Sequence, residues 1–490
     1  WQCLEQFLEC NPPNQGPNWA SAQEAALRIL ALVFASQAFS GSEQYTGERV
    51  RLLRAAIAEH AQRIPVTLAY ARAQNNNHWI SEAVGLYTAG VMLGEHPQAA
   101  RWRRMGWAEL HYALQNQIDE TGEYVQHSTN YHRFIIQAAL WAQAVARPAG
   151  DAFPARTLQR LAAATRWLSS HYDPLSGRAA NLGHNDGAYI LPLAAGGFGD
   201  YRPSLQAAAI AYLERPLLPP GPWDEFSRWM GLPIIQQPLS LTRLGAMPNR
   251  LGDARSWASL RAVHFHHRPA HADQLHVDLW WQGINVALDA GTYAYNASPP
   301  WDNSLMSTLV HNTIGIDGQD QMQRAGRFLW LHWAQARLID SGANQVTAEH
   351  DGYAHLGVLH RRSLARLDTF RWRINDVLLP VDPAQPTTHT ARLHWLLPDW
   401  PWTLEDFAIT LRSPAGRVTV TMALAEQGGI SACTLQLVRC GKALFGLPET
   451  QPILGWYAPC YGQKLPALSF SLTTRSQLPL HLSTHWTFEA

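Results

Sequence analysis

A chain of 490 residues is too long for one hydrophobic core, so two or three domains are expected. Its 38 Lys and Arg balance 38 Asp and Glu, and only 16% of residues are charged, which argues against a nucleic-acid binder working through a broad basic surface but leaves room for a local basic groove. No uninterrupted run of 18 apolar residues occurs, so no membrane span is expected. The five cysteines (Cys3, Cys10, Cys433, Cys440, Cys460) form no CxxC pair, against a thiolate zinc cluster, and their odd number leaves at least one thiol unpaired within the chain. The chain begins at Trp1 rather than Met, as a mature or trimmed product would.

From about Ser21 to Arg228 apolar residues recur at helical spacing, as in Ala25, Ile29, Leu30, Val33 and again in Ile135, Ile136, Ala139, Leu140. These stretches are rich in Ala, Leu, Gln and Arg, and Pro and Gly punctuate them at Pro97, Pro148–Gly150, Pro174 and Pro216–Pro222, which predicts an array of helical hairpins. After about Leu239 the pattern becomes short, alternating and turn-bounded, in His276–Leu288, Arg361–Val377, Arg392–Leu397, Phe407–Leu411 and Arg417–Ala423. No helices intervene, so the sheets are expected to be antiparallel. The expected organisation is a helical domain over 1–235 and a β domain over 236–490, with the seam among the prolines at 217–222 and 233–238 and a ligand cleft between the two.

Four segments carry polar chemistry. Asn75-Asn76-Asn77-His78 precedes a helix on which His78 and Glu82 share a face at i and i+4; capping accounts equally well for Asn75 or Asn76, and a structural His–Glu pair for the rest. Ser128-Thr129-Asn130-Tyr131-His132-Arg133 leads into a second helix, where a buried hydrogen-bonded Tyr is common. Asn181-Leu182-Gly183-His184-Asn185-Asp186-Gly187 is explained as a turn by its Asn, Gly and Asp content. In the β half, His271, Asp289 and His311 each fall at a strand edge or turn; two imidazoles and a carboxylate suit zinc or another borderline divalent ion. Among the 21 Trp, those near Trp280, Trp301 and Trp330 are candidates for sugar stacking, with core packing the plainer explanation of each.

Taken together, NNNHWISEAVGLYTAG, STNYHRF, PAHADQLHVDLWWQGINVALDAGTYAYN and STLVHNTIGIDGQDQ resemble, in order and over roughly residues 75–325, the heparinase II/III superfamily of polysaccharide lyases. The resemblance implies an incomplete (α/α) toroid followed by an antiparallel β-sandwich, and cleavage of a uronic-acid-containing glycan by β-elimination. Asn77 and His78 match the pair that binds and neutralises the uronate carboxylate, and Tyr131 matches the tyrosine acting as general base, general acid or both. Glu82, His132, His184, Asn185 and His267 are candidate substrate-binding residues in the same motifs. His271, Asp289 and His311 match zinc ligands of members that carry the metal, with a structural role expected. An acidic polysaccharide as partner and a periplasmic or secreted location follow from the same resemblance.

One position departs from the pattern. Several members place a catalytic His two residues before the first metal ligand, where this chain has Pro269; His184, His266 or His267 could take its place. The chemistry asks for these residue types because the C5 proton of a uronate is too weakly acidic until its carboxylate is neutralised, and an acid must then reach O4. A cationic His132 or Arg133 beside Tyr131 is expected to lower its pKa and ease a tyrosinate role. Glycosaminoglycans lead the substrate candidates. The alternatives are a lyase for alginate or a bacterial exopolysaccharide, a non-catalytic glycan-binding protein, and an (α/α)-barrel hydrolase, which would need two flanking carboxylates.

Overall fold

The computed structural model describes residues 1–238, 249–385, 387–424 and 433–490. Its first half is helical among the described residues: α1 (Gln2–Cys10), α2 (Ala22–Ala38), α3 (Gly47–Gln74), α4 (Asn77–Met92), α5 (Ala99–Gln117), α6 (Thr129–Ala149), α7 (Ala155–Ser170), α8 (Arg202–Leu213) and α9 (Asp224–Trp229). The helices pack in succession, α2 on α3 and α4, α4 on α5 and α6, then α7 on α8, around one core that includes Ile29, Ile57, Ile80, Leu110, Ile135 and Leu205. This is the incomplete (α/α) toroid expected. The α4–α5 contact is close because Gly106 offers no side chain; a Cβ there would collide with the Tyr87 backbone.

Local signals place the helix starts that matter. Asn75 ends α3 in the left-handed conformation (φ 47°), and the Asn76 side chain caps α4 by accepting from the His78 N–H at 3.0 Å. Ser128 caps α6 by accepting from the Tyr131 N–H at 3.1 Å. Two prolines sit inside helices rather than breaking them, Pro65 in α3 and Pro148 in the last turn of α6. The apolar stripe Leu53, Ile57, Ala61, Ile64, Leu68 continues past Pro65, so core burial outweighs one lost backbone hydrogen bond.

The last helix ends at Trp229 and the first described strand begins at Arg250; the expected change of pattern near Leu239 lies outside the described residues. Beyond it the described strands pair antiparallel, with one isolated parallel bridge between Gly291 and Ala458. A small four-stranded sheet (250–252, 256–260, 277–281, 284–287) leads into two large ones, of eight and six strands, whose inner faces enclose a core containing Trp281, Trp372, Trp395 and Trp486. The expected strands at 276–288 and 361–377 are each a hairpin, turning at Gln282–Gly283 and near 367–370. The fold class is thus a helical toroid followed by an antiparallel β-sandwich.

Side chains stitch the halves together. The buried Arg261 donates to Glu123 at 2.8 Å, Trp257 Nε1 donates to Asp173 at 3.0 Å, and Asn181 Nδ2 donates to the Ala458 carbonyl at 2.9 Å. Burial would raise the Glu123 carboxyl, but Arg261 and His127 outweigh it and hold it well below the usual carboxylate range. The five cysteines are all free, and among the described residues no helix is long and apolar enough to cross a membrane.

Candidate active site and metal centre

Helix α4 packs on α6, and the start of α4 is held to the segment leading into α6 by Gln126. Its Oε1 accepts from the Asn77 backbone N–H at 2.8 Å and from the Tyr124 hydroxyl at 3.2 Å, so Asn77–His78 and Tyr131 are presented by two neighbouring helix N-termini. Such termini carry partial positive charge and suit an anionic ligand. Among the described residues the Asn77 side-chain amide has no hydrogen-bond partner, leaving both donors for a ligand. Burial lowers the His78 pKa, keeping the imidazole neutral. Burial also pushes Glu82 up to about 8, so it is protonated at neutral pH; its carboxyl lies 4.0 Å from His78 Nδ1, beyond hydrogen-bond length.

Tyr131 is almost fully buried, and its hydroxyl donates to Asp186. Asp186 reaches it because the 180–184 segment is laced to the start of α6: Thr129 Oγ1 donates to the Ala180 carbonyl at 2.7 Å and Thr129 N to the Leu182 carbonyl at 3.1 Å. Gly183 permits this closeness with φ +69°, since a Cβ would strike the His127 carbonyl. The β half adds Tyr295, whose ring lies 5.5 Å from His184 and 4.8 Å from Phe328. Burial, then Asp186, then Tyr295 push the Tyr131 pKa well above its ordinary value.

That reverses the expectation of a lowered Tyr131 pKa. His132 turns into the toroid, where its Nε2 meets the Ala164 carbonyl at 2.9 Å and its ring stacks on Trp167; burial lowers it to about 3, so it carries no charge and lies away from the cleft. Arg133 is enclosed by the rings of Tyr189, Phe198 and Tyr201 at 4.3–4.5 Å and braces the 189–201 segment. Both follow Tyr131 within two residues on α6, but helical geometry sends successive side chains in different directions.

His184, His267, Arg268 and Pro269 line one narrow pocket together with Asn75 and Gln126. His267 Nδ1 meets Asn75 Nδ2 at 3.2 Å across the two halves, and Arg268 has no acidic partner among the described residues, leaving a cation at the pocket lip. His184 is buried, its Nδ1 has no partner, and burial lowers its pKa to about 3. His266 is exposed and packs on His264, outside the pocket lining. Asn185 is structural in its contacts: its backbone N–H donates to Thr292 Oγ1 at 3.1 Å and its amide to Asn181 Oδ1 at 2.8 Å. Trp280 and Trp330 are core, the former stacked on Trp257 at 5.4 Å, while the half-buried Trp301 is covered by the Lys464 ammonium at 3.3 Å.

Behind this pocket, ligand atoms of His271, Asp289 and His311 lie within 4.8 Å of one another, all buried. Both ring nitrogens of His271 and of His311, and Asp289 Oδ2, lack hydrogen-bond partners, an arrangement costly without an ion and suited to a divalent one. Asp289 Oδ1 is oriented by the Gly291 N–H at 2.8 Å. His276 stands beside the set, accepting from the Asn312 N–H on Nδ1 and placing Nε2 3.7 Å from Asp289 Oδ2.

A helical toroid closed against an antiparallel sandwich, with Tyr, Asn and His at the seam and a buried His–Asp–His group, defines the class. The chain belongs to the heparinase II/III family: residues 2–176 match the heparinase II/III N-terminus and residues 258–479 the heparinase II/III-like C-terminal family. A heparin-sulfate lyase of Bacteroides thetaiotaomicron is 30% identical over 138 residues, a stretch covering 28% of this chain and 19% of that protein. Among solved structures, heparinase III aligns over 99% of this chain and 72% of its own with a TM-score of 0.68 at 16% identity. The heparan sulfate lyase HepC of Pedobacter heparinus aligns over 100% and 72% with a TM-score of 0.63 at 17% identity.

Sequence reasoning passed over Asp186, Tyr295 and Gln126. Asp186 was visible only as a turn residue before Gly187, and nothing along the chain links it to Tyr131, 55 positions away.

Proposed function

We propose that this protein is a lyase that cleaves a uronic-acid-containing glycan, a glycosaminoglycan of the heparan sulfate class, by β-elimination, outside the cytoplasm in the periplasm or as a secreted protein. The observation that carries the reading is the packing of α4 on α6, with Gln126 holding the start of α4 to the segment that leads into α6, which puts the free amide of Asn77, the neutral His78 and the hydroxyl of Tyr131 at the heads of two neighbouring helices. The family membership and the relatives named heparin-sulfate and heparan sulfate lyases support it.

In this reading Asn77 and His78 donate hydrogen bonds to the uronate carboxylate. These bonds strengthen as the carbanion at C5 spreads onto the carboxylate oxygens, and the helix N-termini favour the same charge. Tyr131 stands at the reacting carbon and handles the proton. Arg268 and His267 contact the chain on the leaving-group side, where the pocket holds Pro269 in place of a catalytic His. Asn77→Ala is expected to cut kcat by roughly 10²–10³-fold, the loss typical of one donor to developing charge, with a smaller change in KM; steady-state kinetics on the preferred glycan check it.

His271, Asp289 and His311 would hold a divalent ion, zinc by the chemistry of the donors, and the ion would contribute structural cross-linking of the β-domain loops behind the pocket. Metal analysis should find one divalent ion per chain. His271→Ala should lose the ion and lower the thermal midpoint together, whereas in the intact protein free ion at about 1,000 times Kd contributes about 4 kcal/mol. An intact protein without stoichiometric metal would remove this site from the account.

The deciding experiment follows ultraviolet absorbance of an unsaturated uronate on heparan sulfate, hyaluronan, chondroitin sulfate and alginate. A rise on heparan sulfate is expected. A rise on alginate alone would move the substrate class, and silence on all four from a folded protein would favour glycan binding without turnover.

A further inference from the structure

Tyr131 poses a problem for the lyase reading, on which this inference rests. A tyrosine that takes the C5 proton is ordinarily prepared as tyrosinate by a nearby cation. The titratable groups facing the Tyr131 hydroxyl are instead Asp186, Tyr295 and Tyr124, none of them cationic, while His132 and Arg133 are turned into the toroid. A free tyrosinate would here be buried beside a carboxylate, the least favourable place for it.

The hydrogen bond already present offers another route. We propose that Asp186 is the proton store of a Tyr131–Asp186 relay, a positioning residue that lets the neutral phenol act first as base and then as acid. As the C5–H bond breaks, its proton passes to Tyr131 Oη while the original phenol proton moves along the existing hydrogen bond to Asp186 Oδ2. The C5 electron pair forms the C4–C5 double bond, the C4–O4 bond breaks, and its electron pair goes to O4. Oη then gives its proton to O4, and Asp186 returns the stored proton to Oη. Atoms and charge balance, both groups end as they began, and no free tyrosinate forms.

Two further features fit this role. Asp186 is partly exposed, unlike the buried Tyr131. Its other oxygen accepts only a long bond, 3.3 Å, from the Ala188 N–H, leaving Oδ2 to Tyr131. Tyr295, brought from the β half, stands beside the pair with its ring against Phe328.

The test compares wild type, Asp186→Asn and Asp186→Ala on the glycan that gives absorbing product, with thermal midpoints confirming each fold. In Asp186→Asn, kcat should fall by roughly 10²–10⁴-fold with KM within about threefold. Its residual rate should climb about tenfold per pH unit, because the tyrosine must now ionise unaided. Added formate should restore rate to Asp186→Ala, a response that lost packing could not produce. An Asp186→Asn enzyme within about threefold of wild-type kcat overturns the relay while the lyase reading stands. So does a loss that keeps the wild-type pH profile and ignores formate. A wild type silent on every uronan overturns the lyase reading, and the relay with it.

Discussion

Tyr131→Phe is expected to abolish formation of the unsaturated product, a fall in kcat of roughly 10³-fold or more, because both proton movements pass through the one oxygen removed. The fold should survive. The ring stays in its place at the head of α6, and the change removes the hydrogen bond to the partly exposed Asp186 carboxylate, worth about 1.5–3 kcal/mol. In a chain of this size that is a shift of only a few degrees in thermal midpoint. Product formation near the wild-type rate would take Tyr131 out of the mechanism.

The second large effect lies deep in the sandwich. Arg362 is fully buried; its Nε and Nη2 donate to Asp376 at 2.6 and 3.0 Å, and Nη1 donates to the carbonyls of Leu275 (2.8 Å) and Asn312. His350 and His360 complete the network, His360 Nε2 lying 2.6 Å from Asp376 and Nδ1 3.2 Å from His350. Arg362→Met strands the Asp376 carboxylate and should cost about 3–5 kcal/mol, read as a lowered denaturation midpoint. Arg362→Met with Asp376→Leu should recover much of that loss, since the cost comes from the unpaired charge. Because Leu275 and Asn312 adjoin His276 and His311, the single variant should also weaken metal retention. A single variant as stable as wild type would show that the ion pair contributes nothing net.

How much of this was legible beforehand depends on the range over which each signal acts. The change from period 3.6 to period 2 is local and reported the toroid and the sandwich correctly, and the Asn76 and Ser128 caps are local too. His271, Asp289 and His311 could be grouped because chemistry and resemblance agreed, and the structure brings their ligand atoms together. What one dimension hid was direction. His132 and Arg133 look like neighbours of Tyr131, yet one bonds Ala164 and the other fills an aromatic box, and the group that does meet Tyr131 comes from a loop that reads as an ordinary turn. Hairpins read as single strands have the same origin, since alternation continues through a tight turn such as Gln282–Gly283.

The bonds from Asn181 to Ala458 and from Asn185 to Thr292 have a consequence for how such proteins can diverge. The loop that delivers Asp186 belongs to the toroid by descent along the chain, but its shape is dictated by residues more than a hundred positions later. Grafting a relative's sandwich onto this toroid would therefore retune the reacting centre itself. The first bond runs from the Asn181 side chain to a backbone carbonyl and the second from a backbone N–H to the Thr292 side chain, so each half holds one side chain, at 181 or at 292, whose loss would loosen the loop, a lock whose wards are cut on both sides.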